Sequence, residues 1–221
     1  LPIRFSTTSV SVTISNVHIL PMTQLDACNL SFRRGGEWLF RGLSFQIAAA
    51  QMLWVRGTNG SGKTTLLRVL AGLSRADEGV VALGNSPSPG EAVSTTGRLY
   101  IGHLNGLKDD LTATESLQFL AAVHGCDSSS SAVHAALRHM GVHHRRHAFV
   151  RTLSQGQRRR VALARLVLDP SPKLWILDEP FDALDAAAID TVCGVLQEHL
   201  SRGGSVVYTS HIAVDGRIAH P

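Results

Sequence analysis

One segment constrains the fold of this chain more than any other: Gly57-Thr-Asn-Gly-Ser-Gly-Lys-Thr64 matches the pattern GxxxxGK[ST]. The apolar stretch Gln51–Arg56 before it predicts a buried strand, and a helix is predicted from about Gly62 to Leu70, ended by Gly72. A strand, a glycine-rich turn and a helix in this order present backbone N–H groups and the positive end of the helix dipole to phosphate oxygens. The segment therefore predicts a phosphate-binding loop.

Two side chains of this loop have predicted roles beyond that of the backbone. Lys63 should reach the β- and γ-phosphates of a nucleotide, and the hydroxyl of Thr64 should bind Mg²⁺. An ordinary glycine turn with a solvated lysine would require neither this spacing nor these flanking elements. The predicted nucleotide-binding residues of the loop are Gly57, Thr58, Asn59, Gly60, Ser61, Gly62, Lys63, Thr64 and Thr65.

Two adjacent carboxylates follow a second apolar strand. Leu174–Leu177 predicts a buried strand, and Asp178 and Glu179 come directly after it. In a chain that carries a phosphate loop, Asp178 is placed to hold Mg²⁺, directly or through water. Glu179 is the next residue and points elsewhere, so it can polarise the attacking water as a general base. We therefore predict Thr64 and Asp178 as metal ligands and Glu179 and Lys63 as catalytic residues.

The composition is that of an ordinary globular protein. Of the 221 residues, 44% are hydrophobic and 17% are charged, which excludes wholesale disorder. The apolar runs are no longer than a strand, whereas a transmembrane helix needs about 20 apolar residues. The sequence thus predicts that any membrane role requires another chain. The net charge of +4 is weak support for a nucleic-acid partner, and the three cysteines form no CxxC pair.

Strands alternate with helices along most of the chain. Residues 104–165 are helical in character, and Thr112 and Glu115 have the spacing of a capping box. This order predicts an α/β fold with a mostly parallel sheet, an antiparallel β region and an inserted α-helical subdomain at about 104–165. The remaining predicted elements are strands at Leu25–Phe32, Leu43–Ile47, Gly79–Leu83, Arg98–Ile101 and Ser205–Ser210, a loop at Asn85–Gly90, and helices at Ala132–Met140 and Ala186–Ser201.

Residues 1–21 differ from the rest of the chain. The stretch Ser6–Ser15 is rich in serine and threonine, and no acidic residue appears before Asp26. We predict a poorly ordered extension over 1–21 and one domain over 22–221. The alternation within Ser6–Ser15 also allows a strand.

The segment that separates this chain from other nucleotide-binding proteins is Leu153-Ser-Gln-Gly-Gln157. It resembles the LSGGQ signature of ABC ATPases, with Gln155 in place of the first glycine. Ala183-Leu-Asp185 resembles the D-loop of that family, and His211 resembles its switch histidine. The resemblance covers about residues 24–212. It implies the P-loop NTPase fold of an ABC-type nucleotide-binding domain, with ATP and Mg²⁺ bound.

The position of the signature at a helix start explains how it could bind a phosphate. Ser154 and Gly156 lie at the start of a helix predicted over Gln157–Leu168, so free N–H groups face outward. In ABC proteins this surface binds the γ-phosphate held by the phosphate loop of the opposite subunit. The resemblance therefore implies a homodimer that encloses ATP, with His211 catalytic. It also implies that Ser154, Gly156, Gln157 and Asp185 contact the nucleotide.

The arginines Arg158–Arg160 follow the signature directly. We predict that they form a solvated basic helix face, and no nucleic-acid partner is expected. Histidines are also frequent at His143–His147, but the spacing lacks the cysteine or carboxylate partners of a metal site. We interpret them as loop histidines on a basic surface.

Two positions depart from the common ABC pattern. His103 replaces the Q-loop glutamine, and Arg34 falls at about the position of the adenine-stacking aromatic residue. An arginine plane can stack on a base, and Phe32 is the alternative stacking residue. These positions, taken with other segments, resemble the CcmA family, the ATP-binding subunit of the cytochrome c maturation complex. The other segments are Leu70–Leu73, Tyr100–His103, Leu111-Thr112, Arg159–Arg165 and Trp175–Phe181.

The CcmA resemblance implies a peripheral protein on the cytoplasmic face of the bacterial inner membrane. Its partners would be an integral, CcmB-like permease subunit and other cytochrome c maturation proteins, and its ATP hydrolysis would support haem export or release of a haem-loaded chaperone. Two alternatives stay open. The chain could serve another ABC exporter, because the catalytic motifs are shared. It could also be a soluble ABC ATPase that acts on nucleic acid or as a scaffold, which the single cassette disfavours.

Overall fold

Two β-sheets and six α-helices make up the described part of the chain. The computed structural model describes residues 2–3, 10–15, 23–84, 97–169, 174–214 and 217–218. In chain order the strands are β1 (Pro2–Ile3), β2 (Val10–Ser15), β3 (Thr23–Arg34), β4 (Glu37–Ala48), β5 (Met52–Gly57), β6 (Glu78–Leu83), β7 (Arg98–Ile101), β8 (Leu174–Leu177) and β9 (Ser205–Thr209). The helices are α1 (Lys63–Leu70), α2 (Ala113–Val123), α3 (Ser130–His139), α4 (Gln155–Leu163), α5 (Arg165–Leu168) and α6 (Ala186–Ser201).

The main sheet carries the phosphate loop at one of its strand ends. Its strand order is β1-β2-β5-β9-β8-β7, with β5, β9, β8 and β7 parallel. The central strands are buried on both faces, as expected for parallel strands covered by helices. Because the carboxyl ends of parallel strands meet at one edge, the loop after β5 and the carboxylates after β8 lie side by side. The predicted α/β fold is confirmed.

Alternate residues of β5 belong to two different hydrophobic clusters. Met52 and Trp54 pack with the helices of the second half of the chain, and the Trp54 ring stacks on Tyr208 at 6.0 Å. Leu53 and Val55 pack on the opposite face, against α1 and the smaller sheet. The strand period of two places these neighbours in separate cores, so β5 anchors the phosphate loop from both sides.

The smaller sheet is antiparallel, with the order β4-β3-β6. Gly35 and Gly36 join β3 to β4 in a two-residue turn, both with positive φ (61° and 87°), which suits a tight hairpin. The predicted strands at Leu25–Phe32 and Leu43–Ile47 are therefore parts of one long hairpin. This sheet is the predicted antiparallel β region.

Helices α2 to α5 form the inserted helical region. Thr112 Oγ1 accepts a hydrogen bond from the Glu115 amide and the Glu115 carboxylate accepts one from the Thr112 amide, so the predicted capping box is present. The helix predicted over Gln157–Leu168 begins two residues earlier, at Gln155, and is interrupted at Ala164. The boundaries 104–165 for a subdomain remain a prediction.

The N-terminal segment contributes backbone pairing to the main sheet. β2 runs antiparallel to β5, with partners from Val10↔Gly57 to Ser15↔Met52, so the strand that the alternation allowed is formed there. Residues 4–9 and 16–22 lie outside the described residues, as does the predicted loop Asn85–Gly90. The poorly ordered extension over 1–21 and the domain start at residue 22 stay predictions.

Candidate nucleotide-binding and catalytic site

The phosphate loop has the backbone geometry that its sequence predicts. Gly60 and Gly62 have φ values of 82° and 94°, in the left-handed region that glycine adopts readily. A Cβ at Gly62 would also lie 3.1 Å from the Leu39 Cβ, so a side chain there would crowd β4. Gly62 is the N-cap of α1, and no side chain of the described residues caps this helix end with a hydrogen bond. The first N–H groups of α1 therefore remain available to an anion.

Two polar side chains of the loop fit phosphate oxygens. The Lys63 Nζ donates to the carbonyls of Gly57 and Thr58 at 2.8 and 3.2 Å, which holds the ammonium group over the loop. Ser61 is buried, and its hydroxyl has no hydrogen-bond partner among the described residues. A buried hydroxyl without a partner is costly, and an oxyanion inside the loop would satisfy it.

A chain of hydrogen bonds fixes the predicted metal ligands. The Thr64 hydroxyl donates to Asp178 Oδ2 at 2.8 Å, and the Thr209 hydroxyl donates to Asp178 Oδ1 at 2.8 Å. Asp178 is 2% exposed, so its carboxylate is held in one orientation beside the phosphate loop. A hydroxyl and a carboxylate oxygen are hard donors of the type that Mg²⁺ takes together with phosphate oxygens. The residues present therefore fit this ion.

Glu179 points away from Asp178 because its backbone turns. Its φ is 51°, a left-handed conformation that costs a non-glycine residue about 1–3 kcal/mol. The Glu179 amide donates to Thr209 Oγ1 at 2.9 Å, and its carboxylate meets His211. His211 Nε2 lies 3.3 Å from Glu179 Oε1, and the His211 amide donates to Oε2 at 3.2 Å. The predicted base and switch histidine are thus in direct contact.

A cleft of about 450 Å³ joins these groups. Arg34 and His103, the two positions that depart from the ABC pattern, both line it, and His103 is exposed. Phe32 packs against Phe40 instead, with 6.1 Å between ring centroids. The described lining is Arg34, Leu39, Asn59, Gly60, Gly62, Lys63, Thr64, Thr65, His103, Asp178, Glu179 and His211.

The signature residues lie outside this cleft, on a separate surface. Ser154 and Gln157 cap the start of α4: the Ser154 hydroxyl accepts from the Gln157 amide, and the Gln157 side chain accepts from the Ser154 amide. Gln155, which replaces a glycine, is exposed at the first position of α4, where a side chain has room. The predicted nucleotide-binding residues therefore fall into two groups that do not meet within one chain.

Gly156 tolerates no side chain. A Cβ there would lie 2.5 Å from the carbonyl oxygen of Ala183, in the predicted D-loop. Asp185, two residues further, accepts from the Ala188 amide at the start of α6 and from Arg160 at 2.6 Å. The signature helix and the D-loop thus pack directly on each other through Gly156 and the Arg160–Asp185 ion pair.

The predicted solvated arginine face is wrong for Arg159. This side chain is 3% exposed and lies between α4 and the end of β8. Burial lowers the pKa of Arg159 to about 10, although Asp178, Asp182 and Glu179 raise it. Sequence reasoning missed Arg159 because its run of three arginines looks like a solvated face. It missed Thr209 because a strand threonine carries no motif.

No described group of three or more histidine, cysteine, aspartate or glutamate side chains could hold a metal ion. His134, His143 and His147 nevertheless cluster, with His134 ring centroids 5.3 and 6.2 Å from those of the other two. A Mg²⁺ site of the kind described above uses a hydroxyl and phosphate oxygens, so it does not depend on such a group.

Comparison with known proteins agrees with this geometry. A family model described as ABC transporter matches residues 40–182. A cytochrome c biogenesis ATP-binding export protein CcmA of Nitrosomonas europaea is 45% identical over 192 residues, 86% of this chain and 90% of that protein. Its counterpart in Nitrosospira multiformis is 42% identical over 195 residues, 88% of this chain and 94% of that protein. The chain belongs to the CcmA family of ABC ATPases.

Solved structures show the same fold. The ATP-binding subunit of an ABC transporter superposes with a TM-score of 0.72 at 24% identity, over 89% of this CcmA-family chain and 83% of that one. An ATP-binding cassette of an ABC transporter in its ADP conformation superposes with a TM-score of 0.66 at 19% identity, over 89% of this chain and 85% of that one. As a CcmA-family protein the chain is a transporter ATPase. No helix in its described ranges has the length and apolar character to span a membrane.

Proposed function

We propose that this chain binds Mg²⁺ and ATP and hydrolyses ATP in a homodimer that encloses the nucleotide, and that this drives a CcmB-like permease in c-type cytochrome biogenesis. The observation that carries the proposal is the division of the site. The phosphate loop, Asp178, Glu179 and His211 line one cleft, whereas the signature residues form another surface of the same chain. Two copies can complete each other's sites, with one contributing the cleft and the other the signature.

Within the cleft, each residue has a role that its contacts support. The α1 N-terminus, Lys63 and the Ser61 hydroxyl bind the phosphates. Thr64 and Asp178 hold Mg²⁺, which when bound neutralises charge on the β- and γ-phosphates. Glu179 accepts a proton from the attacking water, and His211 holds the Glu179 carboxylate in place. Arg34 stacks on the adenine. His103 stands at the Q-loop position and lines both this cleft and a second cavity beside it.

The signature residues supply the second half of the proposed nucleotide site. In our proposal Ser154, Gly156 and Gln157 contact the γ-phosphate bound to the partner subunit, and Asp185 lies at the dimer interface. Ser154 and Gln157 are exposed or partly exposed at the start of α4, where N–H groups and the helix dipole favour an anion. Loss of the γ-phosphate would remove the group that both subunits share. The interface would then loosen, and this movement would be passed to the permease.

The cellular role is proposed from the relatives. They are named as cytochrome c biogenesis ATP-binding export proteins, and the similarity spans most of both chains. We infer a peripheral position on the cytoplasmic face of the bacterial inner membrane. There the dimer would act with the permease and other maturation proteins in haem export or in release of a haem-loaded chaperone.

Glu179→Gln tests this function in the cell and in the test tube. The variant should bind ATP normally but hydrolyse it about 10²–10⁴ times more slowly, because the amide cannot accept the proton. In a deletion strain it should not restore the c-type cytochromes, measured by haem-stained gels, whereas the wild-type gene should. The control Arg202→Gln, which removes an exposed i,i+4 ion pair with Glu198, should restore them. Normal c-type cytochromes in the deletion strain, or full turnover by Glu179→Gln, would contradict the proposal.

A further inference from the structure

We propose that Arg159 is a positioning residue that holds the Glu179 backbone in its catalytic conformation and links it to the signature helix and the His103 loop. The inference rests on the proposed function, because it acts on the proposed general base. It assigns a task to a buried side chain for which the sequence analysis predicts only a solvated basic helix face.

The guanidinium group of Arg159 clamps both carbonyls that flank Glu179. Its Nη2 donates to the Asp178 carbonyl at 2.7 Å, and its Nε donates to the Pro180 carbonyl at 3.4 Å. Glu179 lies between these two carbonyls, with its φ at 51°. A left-handed glutamate persists only where its surroundings enforce it. Arg159 supplies such enforcement from one side, as the Thr209 hydroxyl does from the other.

The same group reaches the loop that carries His103. Its Nη1 donates to the Gly102 carbonyl at 2.9 Å and to Asn105 Oδ1 at 2.7 Å. These two acceptors stand on either side of His103 in sequence. One side chain therefore connects the residues around the base with the residues around His103, which are more than 70 positions apart in the chain.

Arg159 also belongs to the helix of the signature. It lies in α4, five positions after Ser154, so a displacement of this helix moves the guanidinium group. Burial of an arginine is costly unless its donors are satisfied, and a guanidinium group has five N–H donors in a fixed plane. Arg159 donates four hydrogen bonds, to the carbonyls and the side chain named above. A lysine, with a single ammonium group, cannot reproduce them. The position of α4 is thereby coupled to the orientation of Glu179.

Arg159→Gln and Arg159→Lys test this coupling in the full chain. We expect Arg159→Gln to lower kcat at least about tenfold while the KM for Mg-ATP changes less than about threefold, because the lost contacts orient the base and do not touch ATP. Arg159→Lys should recover part of kcat. The control Arg202→Gln should leave both unchanged. A kcat for Arg159→Gln within twofold of the wild type would overturn the inference.

Asn105→Gly provides a second variant should Arg159→Gln fail to fold. It removes one acceptor of Arg159 and suits the backbone at Asn105, whose φ is 61°. We expect a smaller drop in kcat with the same KM. An unchanged kcat in folded Asn105→Gly, when Arg159→Gln cannot be measured, would refute the role.

A double mutant separates this inference from the proposed function. If Arg159 acts through Glu179, then adding Arg159→Gln to Glu179→Gln should leave the residual single-turnover rate unchanged, because the base is already absent. A further loss by the same factor as in the wild-type background would mean that Arg159 acts independently, and the inference fails. An active Glu179→Gln single mutant would instead refute the proposed function.

Discussion

At the scale of single residues, two adjacent carboxylates have different surroundings, which suit the different tasks that we propose for them. Asp178 is buried, and the hydroxyls of Thr64 and Thr209 bind its two oxygens. Glu179 is turned by its left-handed backbone toward His211. The same Thr209 hydroxyl donates to Asp178 and accepts from the Glu179 amide, so it fixes one residue relative to the other. The proposed division between metal ligand and base is therefore a matter of backbone direction.

Gly156 is the residue at which the signature meets the D-loop. Gly156→Ala should lower kcat at least about tenfold, which corresponds to about 1.4 kcal/mol of transition-state stabilisation. The reason is that a Cβ 2.5 Å from the Ala183 carbonyl forces α4 and the D-loop apart. Binding of ATP to the single chain should be unchanged, since the phosphate loop is elsewhere. Steady-state hydrolysis and a fluorescent-nucleotide titration measure the two effects.

Gly194→Ala is the matched control for this experiment. Gly194 also lies within a helix, and a Cβ there meets no atom within 4 Å. Alanine should stabilise α6 by about 0.5–1 kcal/mol and leave hydrolysis unchanged. Equal activity of Gly156→Ala and Gly194→Ala would argue against a role for the close contact.

At the scale of elements, the helical region carries a cluster of three histidines. His134 of α3 packs edge-on against His143 and His147 of the loop that follows. His143 Nε2 lies 3.4 Å from an Arg138 guanidinium nitrogen, a contact suited to a neutral ring that accepts. Desolvation, then Arg146, Arg138 and the other two histidines, lower the pKa of His143 below its ordinary value of 6.5. The folded helical region therefore favours the neutral ring.

Acid should destabilise the helical region through His143. Because the folded pKa is depressed, the unfolded chain binds more protons, and the free energy of unfolding falls as the pH decreases. The loss begins near the ordinary histidine pKa, about 6.5, and is complete below the folded pKa. Between pH 7 and a pH below the folded pKa of His143, the free energy of unfolding of His143→Gln should therefore fall less than that of the wild type. Urea denaturation at the two pH values measures this difference. Identical losses in the two proteins would show that His143 does not contribute.

At the scale of the whole molecule, the parts that sequence predicts well are those with local signals. The phosphate loop, the capping box at Thr112 and the strand before Asp178 each depend on a few neighbouring residues. Arg159 could not be predicted, because its burial depends on β8 and the His103 loop converging on α4 from distant parts of the chain. The alternation within Ser6–Ser15 allows a strand but does not predict its pairing with β5, since polar alternation alone does not reveal a partner strand.

The proposed nucleotide site is complete only with a second copy of the chain. The cleft and the signature surface are separate in one subunit, and we propose that ATP joins them across two. The Arg160–Asp185 ion pair and the Gly156–Ala183 contact position the signature beside the D-loop, so both would enter the same interface. In this proposal, dimerisation depends on the γ-phosphate.

The most direct test is the mass of Glu179→Gln in solution, measured by light scattering coupled to size-exclusion chromatography. With Mg²⁺ and ATP we predict about twice the 23.7 kDa of a single chain, and with Mg²⁺ and ADP the single-chain mass. Adding Ser154→Arg should restore the single-chain mass with ATP, because the signature can then no longer approach the γ-phosphate. A Glu179→Gln chain that binds ATP and yet remains at 23.7 kDa would contradict the proposed dimer.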